Sequence, residues 1–313
     1  MYDDCSEGLS MKEIIYTSPF DSQKLKAYFY EVNQPKAFIC IFHGMAEHQL
    51  RYRKLAEFLN QNHFSVLTID HRGHGESLFD GNLKGYFANE DGWQKNLDDM
   101  HAIIHLVKPD NIPFILFGHS MGSLVARSYL KKYGEELSGL YLSGSPDESP
   151  MASVGITLAK LIRSFKGKKH ASPFMTKLSF GSFNKAIKDP KTIMDWLSIN
   201  EENVKKYIQD DLCGFDFTTQ AYVDMLEGIH EVYHDTWNVL NPELPIQFVS
   251  GEFDPCFLPN GLEKAANRLK ELGYRNVNYS LVIGCRHEIF NETKRDEVFD
   301  SFINWLNNVV NVN

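Results

Sequence analysis

A mostly parallel β-sheet with helices on both faces and a block of helices inserted late in the chain is the fold class that the sequence predicts. Three observations predict it. Short apolar runs alternate with helix-spaced segments from residue 12 to residue 143. The alternation stops between about 146 and 244, where helical patterns dominate. It resumes at Ile246 and continues to the last helix. Strand–helix alternation builds a mostly parallel sheet covered on both sides. A helical block interrupting it reads as a cap. The expected division is a core of residues 1–145 and 245–313 and a cap, or lid, of residues 146–244.

The elements follow in order. Lys12 to Thr17 and Leu25 to Glu31 read as two strands joined by a polar turn. Phe38-Ile39-Cys40-Ile41-Phe42 is a continuous apolar run, as expected of a strand buried on both faces. Arg51 to Asn62 is helical, with Leu55, Phe58 and Leu59 on one face. Val66 to Ile69 is the next strand. Trp93 to Val107 is helical, Phe114 to Phe117 a strand, Ser120 to Tyr133 a helix and Gly139 to Ser143 a strand. In the cap, Met151 to Phe165, Lys191 to Ile199, Asn203 to Gln209 and Thr219 to Trp237 carry helical patterns. The strand Ile246 to Val249, the helix Leu262 to Leu272, the strand Val277 to Ile283 and the helix Arg295 to Val310 complete an eight-stranded sheet. Between Glu148 and Leu240 there are 11 Lys/Arg and 12 Asp/Glu, so the rest of the chain carries −8 of the total −9.

That acidic balance excludes nucleic acid as a partner, because phosphates are repelled. It also opposes strong docking to anionic lipid. Of 313 residues, 43% are hydrophobic, enough for a sizeable core. The five cysteines, Cys5, Cys40, Cys213, Cys256 and Cys285, form no CxxC pair. Neither a zinc site nor a disulfide framework is indicated, and free thiols in a reducing cytosol are expected. The N-terminus has no basic and apolar leader, and no apolar run approaches the roughly 18 residues that span a bilayer. A cytoplasmic location is the expectation.

Chemistry enters at Gly118-His119-Ser120-Met121-Gly122. The bare G-x-S-x-G pattern is weak. Its setting is strong, because it directly follows an apolar strand and directly precedes a helical pattern, the strand–turn–helix of a nucleophile elbow. A serine hydroxyl needs a base to become a useful nucleophile, and on this arrangement acid and histidine follow the serine in the chain. His287, in Gly284-Cys285-Arg286-His287-Glu288 just past a strand, is the candidate base. Asp254, in Ser250-Gly251-Glu252-Phe253-Asp254-Pro255, is the candidate acid, with Glu252 and then Asp147 as alternatives. Two N–H donors for the oxyanion are expected from Met121 and from Met45, in His43-Gly44-Met45-Ala46-Glu47-His48. Asp70-His71-Arg72-Gly73-His74-Gly75-Glu76-Ser77 reads as a structural loop beside the site. His230 and His234 lie four apart on a helix, a metal-compatible spacing, but Glu231 does not complete a site and a solvated face is expected.

These motifs, with Arg51-Tyr52 and Asp210-Asp211-Leu212-Cys213-Gly214-Phe215, stand in the order found in the monoacylglycerol lipase and lysophospholipase family of α/β hydrolases, which the chain closely resembles from about Glu13 onward. The resemblance implies the α/β-hydrolase fold, Ser120, Asp254 and His287 as a catalytic triad, and Met45 and Met121 as oxyanion donors. Two positions depart from the family pattern. Ser123 stands where many relatives have a second glycine, and Cys285-Arg286 precedes the histidine where small or aromatic residues are frequent.

The reaction expected is hydrolysis of a single-chain acyl ester, a monoacylglycerol or a lysophospholipid, through an acyl-serine. No metal or cofactor is needed, and activity should fall below roughly pH 6.5 as His287 protonates. Phe174, Met175, Leu178, Phe183, Phe215 and Tyr222, with Phe180, Phe217 and Met225, are candidates for an acyl tunnel, although each also suits the cap's own core. Lys166, Lys168 and Lys169 suit a phosphate head group less well than a solvated loop. An apolar cap surface suits either transient membrane contact or a second subunit, and the sequence does not separate them. A small-ester or peptide hydrolase, and a binding protein with a vestigial triad, are the alternative readings.

Overall fold

The computed structural model describes residues 11–79, 81–147, 152–257 and 260–312. Cys5 and Met151 lie outside them. Eight strands form one sheet: β1 Met11–Thr17, β2 Lys24–Tyr30, β3 Ala37–Phe42, β4 Phe64–Ile69, β5 Phe114–His119, β6 Gly139–Ser143, β7 Ile246–Gly251 and β8 Val277–Val282. Their spatial order is β1-β2-β4-β3-β5-β6-β7-β8. β1, β2 and β4 pair antiparallel, and every pairing from β4 to β8 is parallel. The α/β-hydrolase fold is thus present as expected.

The apolar run of β3 has a direct explanation. Its side chains alternate between two cores. Phe38, Cys40 and Phe42 enter the core under α2 (Gly92–Val107), α3 (Met121–Tyr133) and α8 (Gly261–Leu272). Ile39 and Ile41 enter the opposite core, under α1 (Arg53–Gln61) and α9 (Arg295–Val312). All six residues of β3 are buried. Each fully buried Phe or Ile contributes on the order of 2–3 kcal/mol of apolar transfer energy, so this strand is fixed in place. β5 lies beside it and delivers Ser120 at its carboxyl end.

Among the described residues, four α-helices run between β6 and β7: α4 Ala152–Lys166, α5 Pro173–Phe180, α6 Glu201–Gln209 and α7 Thr219–His234. Their starts are written in side chains. Ser172, Asn200 and Thr218 each accept a hydrogen bond from a backbone N–H of the first turn. α5 was not foreseen, although Ser172 followed by Pro173 at its first position is a start signal.

Two expectations are corrected. Lys191 to Ile199 does not form an α-helix; only Asp195–Leu197 makes one 3-10 turn. The Asp195 carboxylate accepts from Lys191 N at 2.6 Å and from the Thr192 hydroxyl, and this local bonding replaces helical pairing. α7 ends at His234 and not at Trp237, because Asp235 is extended. Among the described residues no helix is long and apolar enough to cross a membrane.

Candidate active site

Ser120 occupies the turn between β5 and α3 at φ +52° and ψ −121°. An L-residue held at positive φ costs on the order of 1–3 kcal/mol, and the surroundings must enforce it. They do so through the flanking glycines. A Cβ at Gly122 would lie 2.2 Å from Phe42 O and 2.4 Å from His43 O, and one at Gly118 would lie 2.5 Å from Gly122 O. β3, β5 and α3 therefore approach too closely for any other residue. Ser123, the departure from the family pattern, is accommodated: its hydroxyl donates to Ser120 O at 2.6 Å and accepts from Ser145 Oγ at 2.9 Å.

Asp254 and His287 stand in loops after β7 and β8. Asp254 Oδ2 lies 2.9 Å from His287 Nδ1, and both residues are buried. Ser250 Oγ donates to the same carboxylate at 2.5 Å, and Cys256 N donates at 2.8 Å. Burial alone would raise the Asp254 pKa, but the imidazole and these donors hold it below the ordinary carboxylate value. Burial alone would lower the His287 pKa, but Asp254, Glu288 and Glu47 hold it above 6.5. With Nδ1 donating to Asp254, the neutral ring keeps its lone pair on Nε2. The ring is clamped between His119 and Trp196, with centroids 4.7 and 5.1 Å away. His287 and Ser120 line one cavity. The other two acids are elsewhere: Glu252 is exposed and accepts from Gly284 N at 3.0 Å, and Asp147 lies 3.6 Å from Lys264.

Met45 lines the same cavity, and Met121 is the first residue of α3, where an N–H has no partner within the helix. The loop bearing Met45 is held from below by three histidines. His71 N donates to His43 Nε2 at 3.1 Å, so His43 Nδ1–H donates to Gly44 O at 2.8 Å. Ala46 N donates to His74 Nε2 at 3.2 Å, so His74 Nδ1–H donates to Arg72 O at 2.9 Å. This assignment requires neutral rings. Burial pushes His71 down to about 4, His74 down to about 3 and His43 well below its ordinary value. The His71–His74 stretch is therefore a scaffold for the loop, and Ala46 keeps its φ of +51° because of it.

The sequence reading missed the ionic frame behind these groups. Glu47 Oε1 accepts from Gly44 N at 2.5 Å and from Tyr52 Oη at 2.8 Å. Its other oxygen accepts from Arg51 Nη1 at 2.5 Å. Arg51 also grips Glu288, the neighbour of His287. The G-x-x-E-H-x-x-R-Y spacing was visible, but nothing in it names a partner 237 positions away.

The inserted helices roof the cavity. Gly214 N and Tyr207 Oη both donate to Ala46 O, at 2.9 and 3.0 Å. Glu288 N donates to Leu197 O at 2.8 Å, and Arg286 Nη1 donates to Asp195 O at 2.6 Å. The second departure from the family pattern, Arg286, thus ties the histidine loop to the roof. The empty space at the site is about 570 Å³ with open solvent included, and Phe180, Met194, Trp196, Leu197, Tyr207 and Phe215 supply much of its apolar wall. Of the six principal tunnel candidates, only Phe215 lines it. Met175 and Tyr222 are buried in the main core, Phe174 and Leu178 are exposed, and Phe183 packs edge-on against Trp196. Phe217 and Met225 also belong to the core. Helix phase explains the miss, since α5 points Phe180 inward and Phe174 and Leu178 outward. Lys168 donates to Asn89 O and Lys169 lies over Tyr86, and Lys166, Lys168 and Lys169 are all away from the cavity lining. His230 and His234 sit side by side, and among the described residues no third donor forms a cluster with them. Cys40, Cys213, Cys256 and Cys285 are free.

Comparison with known proteins shows the family and the fold. The family described as serine aminopeptidase, S33, matches residues 33–294. A monoacylglycerol lipase of Mycolicibacterium smegmatis is 23% identical over 87% of this chain and 88% of its own length. The phospholipase YtpA of Bacillus subtilis is 25% identical over 86% of this chain and 95% of its own. The crystal structure of a thermostable carboxyl esterase from Bacillus coagulans, in complex with glycerol, superposes with a TM-score of 0.87, at 26% identity, over 97% of this chain and all of that one.

Proposed function

The chain belongs to the serine aminopeptidase S33 family of α/β hydrolases and is a serine hydrolase, and we propose on that basis that it cleaves single-chain acyl esters, a monoacylglycerol or a lysophospholipid, with Ser120, His287 and Asp254 as its triad. The observation that carries this is the 2.9 Å bond between Asp254 and His287 in the wall of the cavity that Ser120 enters from a turn at positive φ.

In this account His287 Nε2 takes the proton of Ser120 Oγ as the oxygen attacks the ester carbonyl. The Met45 and Met121 N–H groups receive the oxyanion. The imidazolium, stabilised by Asp254, gives its proton to the departing alcohol. Water, activated by the same ring, then attacks the acyl-serine, and the fatty acid leaves. No step calls on a metal or cofactor.

Residues 146–244 serve as the cap in this reading. Apolar Phe180, Met194, Trp196, Leu197 and Phe215 favour an acyl chain. The acids at the cavity floor, Glu47 and Glu288, are engaged by Arg51, so they offer little attraction to a cationic peptide terminus. The lipase and phospholipase among the relatives support an acyl ester as the substrate class. The test is covalent. A fluorophosphonate should add to one residue, and peptide mass mapping should place it on Ser120, with no labelling of His287→Ala. A label on any other residue, or none, would remove Ser120 from the role.

A further inference from the structure

Three metal-ligating side chains converge on the far flank of α2, away from the cavity. His101 and His105 lie one turn apart, their ring centroids 4.4 Å from each other, and Glu136 reaches them from the 3-10 turn Gly134–Glu136 that follows α3. The donor atoms all lie within 4.8 Å of one another. We propose that His101, His105 and Glu136 form a binding site for a borderline divalent transition ion, of which zinc is the type, with water as the fourth ligand.

The hydrogen bonds arrange the lone pairs for it. Glu136 Oε2 lies 3.3 Å from Tyr129 Oη, and a carboxylate only accepts, so the phenol donates there. Tyr129 has no second proton. The 3.0 Å contact between Tyr129 Oη and His101 Nδ1 is therefore His101 donating to the phenol. That leaves the Nε2 lone pair of neutral His101 facing Glu136 Oε1 at 3.9 Å, too far for a hydrogen bond. A histidine that donates its other N–H to a fixed oxygen is the arrangement that orients metal-binding imidazoles. Tyr133 stacks flat on the His101 ring at 3.7 Å and is itself anchored by donating to Asp98 at 2.7 Å.

The spacing also suits the ion. Ligands about 2.0–2.1 Å from a tetrahedral zinc lie roughly 3.3 Å apart. The two histidine-to-carboxylate separations, 3.0 Å for His105 and 3.9 Å for His101, bracket that value. The two contacts use different oxygens of the carboxylate, Oε1 for His101 and Oε2 for His105. His105 now donates from Nε2 to Glu136, so binding releases that proton to solvent or moves it to Nδ1. Two imidazoles and one carboxylate favour zinc, cobalt or nickel over calcium or magnesium, which require more oxygen ligands. Partial exposure, 24% for His101 and 44% for His105, gives the ion an entry path. Once bound, it links α2 to the end of α3, the helix that begins beside Ser120, and it stabilises the folded chain by mass action.

Two other donor clusters, His48/Asp210/Cys213 and Asp254/Cys256/His287, each contain a thiol, so spectroscopy separates the sites. Cobalt(II) added to metal-free protein should give visible bands without a thiolate charge-transfer band, and zinc should raise the melting temperature in a saturable way. Both responses should disappear in His105→Ala and weaken in Glu136→Gln. An unchanged response in both variants, a thiolate band accounting for all bound cobalt, or no saturable binding would overturn the assignment.

Discussion

Arg51 holds Glu288 in a two-point grip, Nη1 to Oε1 and Nη2 to Oε2, both at 2.6 Å. The same guanidinium reaches Glu47 on the loop that bears Met45, and Asn203 on α6. One buried cation thus ties together the loop that bears Met45, the residue after the candidate base and the roof of the cavity. Burial would raise the Glu288 pKa, but Arg51 and Asn203 hold it below the ordinary value, so the pair is ionic.

Arg51→Met should therefore damage both stability and turnover. It leaves two buried carboxylates without their cation, held only by neutral donors, a loss of about 3–5 kcal/mol. Denaturant melts should show that loss, and kcat should fall at least about tenfold as the oxyanion loop drifts. Arg51→Lys should restore less than half of either, because an ammonium cannot make the forked contact.

The pH dependence follows from the sign of one shift. His287 must be neutral to act as base, and Asp254 with Glu288 and Glu47 raises its pKa. The acid limb of kcat/KM should therefore lie above pH 6.5, a correction to the value expected from an unperturbed histidine. Asp254→Asn removes the main raising influence. Its residual activity should be lower on the order of 10⁴-fold, as loss of a triad acid is elsewhere, with the limb moved to lower pH. A pH–rate profile on a chromogenic ester measures both.

Trp196→Ala tests the cap wall. Trp196 packs on His287 and lines the cavity. Its loss should raise KM for long-chain esters about tenfold or more, while kcat on a short ester changes far less. Equal losses on both would mean that Trp196 serves the imidazole alone.

Acid should unfold the protein with net proton uptake. His71, His74 and His119 are held at about 4, about 3 and about 4, and His43 is well below 6.5, all by burial first. The unfolded chain takes up those four protons near pH 6.5, so the stability they carry is fully present above that pH and is lost as pH falls. Asp70 and Asp224, raised by burial to about 6, act in the opposite sense and offset two. The net slope between pH 6 and 4 should be on the order of 2–3 kcal/mol per pH unit. Urea midpoints across that range measure it.

The core elements were legible because each has a local signature. β3 and the Phe114–Phe117 part of β5 are unbroken apolar runs, and the elbow glycines stand where Phe42 O and Gly122 O leave no space. Asp254 and His287 could be placed because they follow strands in a fixed chain order. The cap was legible only as helical. Phe174 and Phe180 look alike in sequence, and only the phase of α5 against the core decides that one is exposed and the other faces the cavity. Arg51 and Glu288, and likewise His101 and Glu136, meet through the fold alone, so their pairing leaves no local trace.

The most direct measurement is fatty-acid release from a matched panel of long-chain monoacylglycerols, lysophospholipids and short-chain esters, with Ser120→Ala as the blank. The account predicts that long single-chain esters are turned over best and that the mutant releases nothing above background. Turnover confined to short esters, or release that persists in Ser120→Ala, would contradict it.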